Sequence, residues 1–225
     1  MAVQNKKFDA NNPRKKLLIL GDSQAQDFVN SAMEHGYLNN YQVRTRHISA
    51  QCQLFFGEDS ASGVADKDKA LCAKVESLKT SKGQIENADV IVFASLWRSW
   101  AVQRLPQTID NLQLRDNQKL VVLGRKSFGK ISLRHYLRMS DEKRKAVRNP
   151  INQQFLNDNR RLKQTLSPSS FVDQYALICG ANQSKCPVFT PDAELISFDG
   201  GHLTKAGARY VGERIFTSPA LSSLQ

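Results

Sequence analysis

Short apolar runs punctuate the chain, and stretches with helical spacing separate them. Residues 16–21 hold Leu17, Leu18, Ile19 and Leu20 in a row and end at Gly21, which reads as a buried strand. A helix is expected over residues 24–35, with Phe28, Ala32 and His35 on one face and Gly36 closing it. Residues 41–48 alternate Val43, Thr45 and His47 against Arg44, Arg46 and Ile48, the period of a strand. Residues 49–65 read as loop, and 66–78 as a helix anchored by Ala70, Leu71, Val75 and Leu78. Val90 to Phe93 is the clearest buried strand, within residues 89–94. A helix over 105–114 turns Ile109 and Leu112 inward, and 119–124 is another short apolar strand.

Residues 125–148 have weak periodicity and read as loops and short helices. Residues 151–166 form a better helix, with Ile151, Phe155, Leu162 and Leu166 at near-helical spacing. Extended segments are expected over 170–175 and 194–198. A last helix over 205–216 buries Ala208, Val211, Gly212 and Ile215 behind a Thr204 N-cap. Strands and helices thus alternate. Short, continuously apolar strands between amphipathic helices predict a mostly parallel sheet covered on both faces, a three-layer α/β/α sandwich of flavodoxin-like topology. Residues 1–15 read as a polar, basic lead-in broken at Asn11-Asn12-Pro13, and 16–220 as one domain. No repeat or Pro-rich linker divides it.

Composition narrows the class. Of 225 residues, 40% are hydrophobic and 24% charged, as in a globular chain with a sizeable core. No apolar run approaches the length of a membrane span, and no signal-like segment opens the sequence. The formal net charge is +11, and residues 115–163 supply most of it, with 14 Lys and Arg against 4 Asp and Glu. Such a stretch is either a solvated helical surface or an attraction for a polyanion. No zinc-finger spacing or RNP-like strand favours nucleic acid.

The four cysteines contain no C-x-x-C pair. They fall into two local pairs, Cys52 with Cys72 and Cys179 with Cys186. This suggests two disulfides and an oxidising compartment; four reduced thiols in a cytosolic protein are the alternative. A soluble piece of a longer exported protein would reconcile disulfides with the absent signal segment.

Two segments carry chemistry. Gly21-Asp22-Ser23 ends the first strand directly before a helix. A serine hydroxyl is therefore expected at the carboxyl edge of the sheet, where free N–H groups of the first helical turn stabilise negative charge. Asp22 and Ser23 as plain helix caps are the alternative. A serine nucleophile needs a base, and the four histidines are His35, His47, His135 and His202. His35 ends the first helix, beyond reach of the turn that begins it; structural roles suit His47 and His135 better. His202 follows Asp199 in Asp199-Gly200-Gly201-His202. A short Gly-Gly turn can fold the carboxylate onto Nδ1 and leave Nε2 to accept the serine proton.

With these residues the sequence resembles the SGNH/GDSL hydrolase superfamily. The match lies in Leu18-Ile19-Leu20-Gly21-Asp22-Ser23 and in the block from Phe198 through Asp199-Gly200-Gly201-His202-Leu203-Thr204 to Ala208. More narrowly it resembles the SGNH domain fused to membrane-embedded acyltransferases of the third family, which O-acetylate bacterial surface polysaccharides. Cys52, Trp97, Cys179 and Cys186 carry that narrower likeness. The resemblance implies Ser23 as nucleophile, His202 as general base and Asp199 as its orienting acid, with no metal or organic cofactor. It further implies an extracytoplasmic glycan substrate, a fused or partner membrane domain supplying acetyl, and a periplasmic or other extracytoplasmic location. A carbohydrate O-acetyl esterase and a non-catalytic module that binds a polyanion or glycan are the alternatives.

The chain departs from the superfamily at two places. No glycine stands near Ser49-Ala50, and Ala94-Ser95-Leu96-Trp97 replaces the usual G-x-N-D, so the oxyanion-binding asparagine is missing. An oxyanion donor is typically worth about 3 kcal/mol of barrier, so something must replace it. The Ser23 backbone N–H is one expected donor; a backbone N–H near Ser49, or a group near Trp97, is the second. Trp97, Arg98 and Trp100 are expected to form an aromatic and basic wall for a sugar, unless Trp97 packs in the core.

Overall fold

In the computed structural model of the chain, residues 6–58, 62–181 and 184–225 are described. The first half runs β1 (Lys15–Gly21), α1 (Ser23–Met33), β2 (Tyr41–His47), α2 (Asp66–Cys72), α3 (Lys82–Asn87), β3 (Val90–Ala94), α4 (Ser99–Gln103), α5 (Leu105–Leu112) and β4 (Lys119–Leu123). The second half runs α6 (Leu133–Tyr136), α7 (Asp141–Ala146), β5 (Arg148–Pro150), α8 (Gln153–Thr165), β6 (Phe171–Val172), α9 (Gln174–Cys179), β7 (Lys185–Pro187) and α10 (Lys205–Ile215).

Five strands form one parallel sheet in the order β2-β1-β3-β4-β6. The reason for the apolar runs is visible in β1. Leu17 and Ile19 enter the core under α1 and α10, Leu18 and Leu20 enter the core on the opposite face, and all four are fully buried. Burial of each is worth roughly 2 kcal/mol, so alternation with polar residues would forfeit one face. The strand order reverses between β1 and β3. Such a switch point opens a crevice at the carboxyl ends of the strands, where ligands bind in open α/β sheets.

The edge strand β2 keeps its arginines because the lead-in covers it. Arg44 Nε donates to Lys7 O at 2.8 Å, Arg46 Nη2 to Lys6 O at 3.3 Å, and Gln42 Nε2 to Asp9 O at 3.1 Å. Phe8 packs on the core beneath. Residues 1–5 of the lead-in and 59–61 of the expected loop lie outside the described residues.

Several expected elements come out differently. The helix expected over 66–78 stops at Cys72 and buries none of its residues. Its run is mostly charged, no side chain caps its start, and Leu71 stays 45% exposed while Leu78 is buried separately. The extended segment 170–175 is a two-residue strand, because Asp173 accepts from Ala176 N at 3.1 Å and starts α9. Segment 194–198 makes only single bridges, Phe189 with Leu195 and Ser197 with Leu203. Helix α3, helix α4 and the antiparallel β5–β7 pair were not expected from the pattern.

Cys52 is bonded to Cys72 and Cys179 to Cys186. The first bond ties the loop after β2 to the end of α2; the second ties α9 to β7. Closing loops of 20 and 7 residues stabilises the fold by about 3 and about 2 kcal/mol in the chain-entropy model. Replacing Cys52 and Cys72 together by serine should therefore lower the unfolding free energy more than replacing Cys179 and Cys186. Urea titrations of the two double variants check the order; equal losses, or the reverse, would contradict it.

Candidate active site

Ser23 sits at the first position of α1, at the carboxyl end of β1. Asp22, not Ser23, caps the helix: Asp22 Oδ1 accepts from Gln24 N at 2.9 Å. The cap frees the Ser23 side chain, which is exposed. Gly21 is required just before it, since a Cβ there would stand 1.7 Å from Ala94 O on β3. The turn is thus pressed against the neighbouring strand, and its serine is turned outward.

The segment before α10 brings the other two residues. Gly200 has φ +94°, a left-handed conformation that a side chain would strain, and a Cβ there would meet Gly129 O at 2.0 Å. The tight turn folds Asp199 back onto its own loop. Asp199 Oδ1 accepts from Gly201 N at 2.9 Å and His202 N at 2.8 Å, and Asp199 Oδ2 lies 2.5 Å from His202 Nδ1. His202 Nε2 lies 2.7 Å from Ser23 Oγ. With Asp199 ionised, Nδ1 carries the proton and Nε2 is left to accept the serine proton. Phe198 stacks on the imidazole at 5.8 Å. Burial alone would raise the Asp199 pKa, but the His202 and Gly201 N–H groups and the imidazole together hold it down, at about 2.

The other side of the serine turn is built from loops after β2, β3 and β4. Asp22 Oδ2 accepts from Ser95 Oγ and Leu96 N, both at 2.8 Å, which joins the serine turn to the loop after β3. Leu96, at the place of the missing asparagine, is 40% exposed and its side chain offers no polar group. Gln53 then clamps the two loops: its Nε2 donates to Ala50 O and to Leu96 O at 2.6 and 3.1 Å, and its Oε1 accepts from Arg98 N at 2.8 Å. A cleft of about 460 Å³ opens here, lined by Ala50, Gln51, Leu96, Arg98, Ser99 and Arg125, with Trp97 at its floor.

The aromatic wall expected from Trp97 and Trp100 is not present. Trp97 is fully buried and its Nε1 donates to Leu123 O at 2.8 Å, so its ring is a core member with no face for a sugar. Trp100 packs edge-on against Phe55 at 5.9 Å and lies over Gly63. Of that trio only Arg98 is exposed in the cleft. Ser49 is half-buried, with its hydroxyl on Gln51 Oε1, and Ser49 O accepts from Cys52 N and Gln53 N. Among the described residues no hydrogen bond engages the backbone N–H of Ser23, Ser49 or Trp97.

The basic stretch is not uniformly solvated. Two of its cations turn inward: Arg125 pairs with Asp158 at 2.8 Å and Lys126 with Asp27 at 2.7 Å, all four buried. Lys126 Nζ also donates to Gly201 O at 2.9 Å, beside His202. Periodicity gave no hint of this role; the sequence signal was two cations one residue after the apolar run Leu120-Val121-Val122-Leu123. His47 borders Ser23, Gln26, Val29 and Arg46 around a small cavity of about 70 Å³. His35 is held away, with Nε2 2.7 Å from Arg209 O, and His135 is exposed on α6. Among the described residues no cluster of three or more His, Cys, Asp or Glu could hold a metal ion.

The lowered Asp199 pKa has a consequence for stability. A carboxylate whose folded pKa lies below its unfolded value stabilises the fold above the unfolded value, near 3.8, and loses that contribution as pH falls through about 2. The side chain is 42% exposed, so screening limits the contribution to about 1 kcal/mol. The stability gap between wild type and Asp199→Asn should be widest above pH 4 and narrow toward pH 2. Urea unfolding across that range measures it, and a gap independent of pH would contradict the assignment.

No curated, characterised protein matches this sequence significantly. Among solved structures, the C-terminal catalytic domain of Streptococcus pneumoniae peptidoglycan O-acetyltransferase A, with a methylsulfonyl adduct, is similar at 13% identity and a TM-score of 0.42, over 94% of this chain and 95% of that one. The family model described as "SGNH domain (fused to AT3 domains)" matches residues 3–216, nearly the whole length. With a serine turn and a D-x-x-H loop meeting at the carboxyl edge of a five-stranded parallel sheet, the chain belongs to the family of SGNH domains fused to AT3 domains.

Proposed function

We propose that the chain is an O-acetyltransferase domain acting through a Ser23 acyl-enzyme, with His202 as general base and Asp199 as its orienting acid. The observation that carries the reading is the hydrogen-bonded series Asp199–His202–Ser23, at 2.5 and 2.7 Å. Ser23 Oγ attacks an acetyl ester carbonyl while His202 Nε2 takes its proton. The tetrahedral oxyanion collapses, and the imidazolium returns that proton to the leaving oxygen. A glycan hydroxyl then gives its proton to Nε2 and attacks the acetyl-serine carbonyl; the second oxyanion collapses, the Ser23 Oγ–acyl bond breaks, and the imidazolium returns the proton to Ser23 Oγ. The oxyanion is met by the Ser23 N–H at the start of α1, whose helix dipole adds to it. Unengaged backbone N–H groups at Ser49 and Trp97 are the proposed sources of the second donor, in place of the asparagine.

The acceptor is a sugar of an extracytoplasmic bacterial glycan, and a linked AT3 membrane domain supplies acetyl; the family description supports that partner. Two disulfides favour an oxidising compartment. No helix among the described residues is long and apolar enough to cross a membrane. Arg98 in the cleft, and Lys130, Arg134 and Arg138 exposed on the segment after β4, suit an acidic glycan. His202 is 39% exposed, so water can reach the acyl-enzyme, and hydrolysis competes unless a bound sugar is aligned for attack.

Turnover of p-nitrophenyl acetate should fall by roughly 10⁴-fold in Ser23→Ala and in His202→Ala. With an acetyl donor and candidate glycans, mass spectrometry should find acetylated sugar at the expense of free acetate. Acetate released at one rate whatever glycan is added, with no acetylated sugar even beside the membrane domain, assigns an esterase instead. Unchanged turnover in Ser23→Ala would leave a glycan-binding module.

A further inference from the structure

Lys126 follows β4 and is 4% exposed, and Asp27 on α1 is 5% exposed. An ammonium has three N–H donors, and Lys126 Nζ meets three acceptors: Gln24 Oε1, Asp27 Oδ2 at 2.7 Å and Gly201 O at 2.9 Å. The second oxygen of Asp27 accepts from Leu203 N at 3.2 Å. The pair therefore grips the backbone on both sides of His202, at the carbonyl of 201 and the amide of 203. Asp27 lies four residues after Ser23 on the same helix, so it shares the helix face beneath the serine. Gln24, the third acceptor, is on that helix too. Serine and imidazole are referred to one rigid element.

A buried ion pair is a poor way to add stability, because desolvation of the two charges offsets their attraction and apolar side chains pack as well. Apolar side chains cannot bond a carbonyl and an amide on either side of a histidine. We propose that the Asp27–Lys126 ion pair is a positioning device for His202, fixing the height and rotation of the imidazole against Ser23. The proposal rests on the acyl-enzyme reading. Lys126 and Asp27 touch neither the acyl group nor the acceptor; they act through the loop that carries the base.

The test is the double substitution Asp27→Asn with Lys126→Met, which leaves no lone buried charge, in the full chain. Misplacement of a base by about 1 Å typically costs about 100-fold in rate. Turnover number with p-nitrophenyl acetate should therefore fall about 100-fold while KM changes less than about 2-fold. The downfield proton resonance of the His202 Nδ1–H bonded to Asp199 should shift or broaden away, which a loss of global stability in a still-folded protein would not cause. A folded double variant with wild-type turnover, or with reduced turnover and an unmoved imidazole resonance, overturns the proposal. Should the double variant not fold, Lys126→Arg decides. It keeps the charge but moves the donors, and a wild-type resonance and turnover in it would equally overturn the idea. The imidazole resonance is read without substrate, so failure of Ser23→Ala to abolish turnover would count against the acyl-enzyme reading and leave the positioning result separate.

Discussion

Two segments 179 residues apart in sequence approach to 2.7 Å where Ser23 meets His202. Hydrogen-bond length tolerates only a few tenths of an ångström, so the elements carrying the two residues must be fixed against each other with comparable accuracy. Much of the surrounding structure satisfies that constraint. β1 lies between β2 and β3, with Leu17 to Leu20 buried on both faces, so the end of the strand cannot slide. Gly21 lets the turn press against β3, and Asp22 bonds both the helix start and the loop after β3. On the other side α10 packs on α1 in the same core, and its leading loop is pinned at Gly200 and Asp199.

The charges divide into two populations with different work. Asp22, Asp27, Lys126, Arg125 and Asp158 are buried, and each has a partner of opposite charge or a backbone donor. Asp22, Arg125 and Lys126 stand at loops following β1 and β4, where regular strand hydrogen bonding ends and the backbone needs side-chain partners, and Asp27 on α1 and Asp158 on α8 meet the two cations. Lys130, Arg134, Arg138, Lys143, Lys145 and Arg148 are exposed and leave that segment strongly positive. Net charge could not separate the two groups, because inward and outward cations are adjacent in sequence. The outer group is exposed and would attract an anion, while the inner group ties together the loops around Ser23 and His202.

Much of this was legible in the sequence, and the gaps have physical causes. Continuous apolar runs identified β1, β3 and β4, since strands buried on both faces have no alternation to blur. The Gly-Asp-Ser turn and the Asp-Gly-Gly-His block pointed to a serine and a histidine that meet, because the tight backbone turns that present them leave short motifs. The cysteine pairs were legible for the same reason. Trp97 was not, because an aromatic after a strand serves a core or a sugar equally well until its burial is known. Leu71 looked like a helix anchor, but its helix lies on the surface. Lys126 and Gln53 escaped notice because the groups they hold, Asp27 and Gly201 O for Lys126 and Leu96 O for Gln53, are distant in sequence, where no local pattern links them.

The central claim is that Ser23 is a nucleophile activated by His202. A fluorophosphonate ester, which reacts with an activated serine and mimics the tetrahedral state, tests it directly. Peptide mapping of the treated protein should find a single adduct, on the peptide that carries Ser23, and the rate of labelling should collapse in His202→Ala. An adduct elsewhere, no adduct at all, or a labelling rate indifferent to His202 would contradict the account.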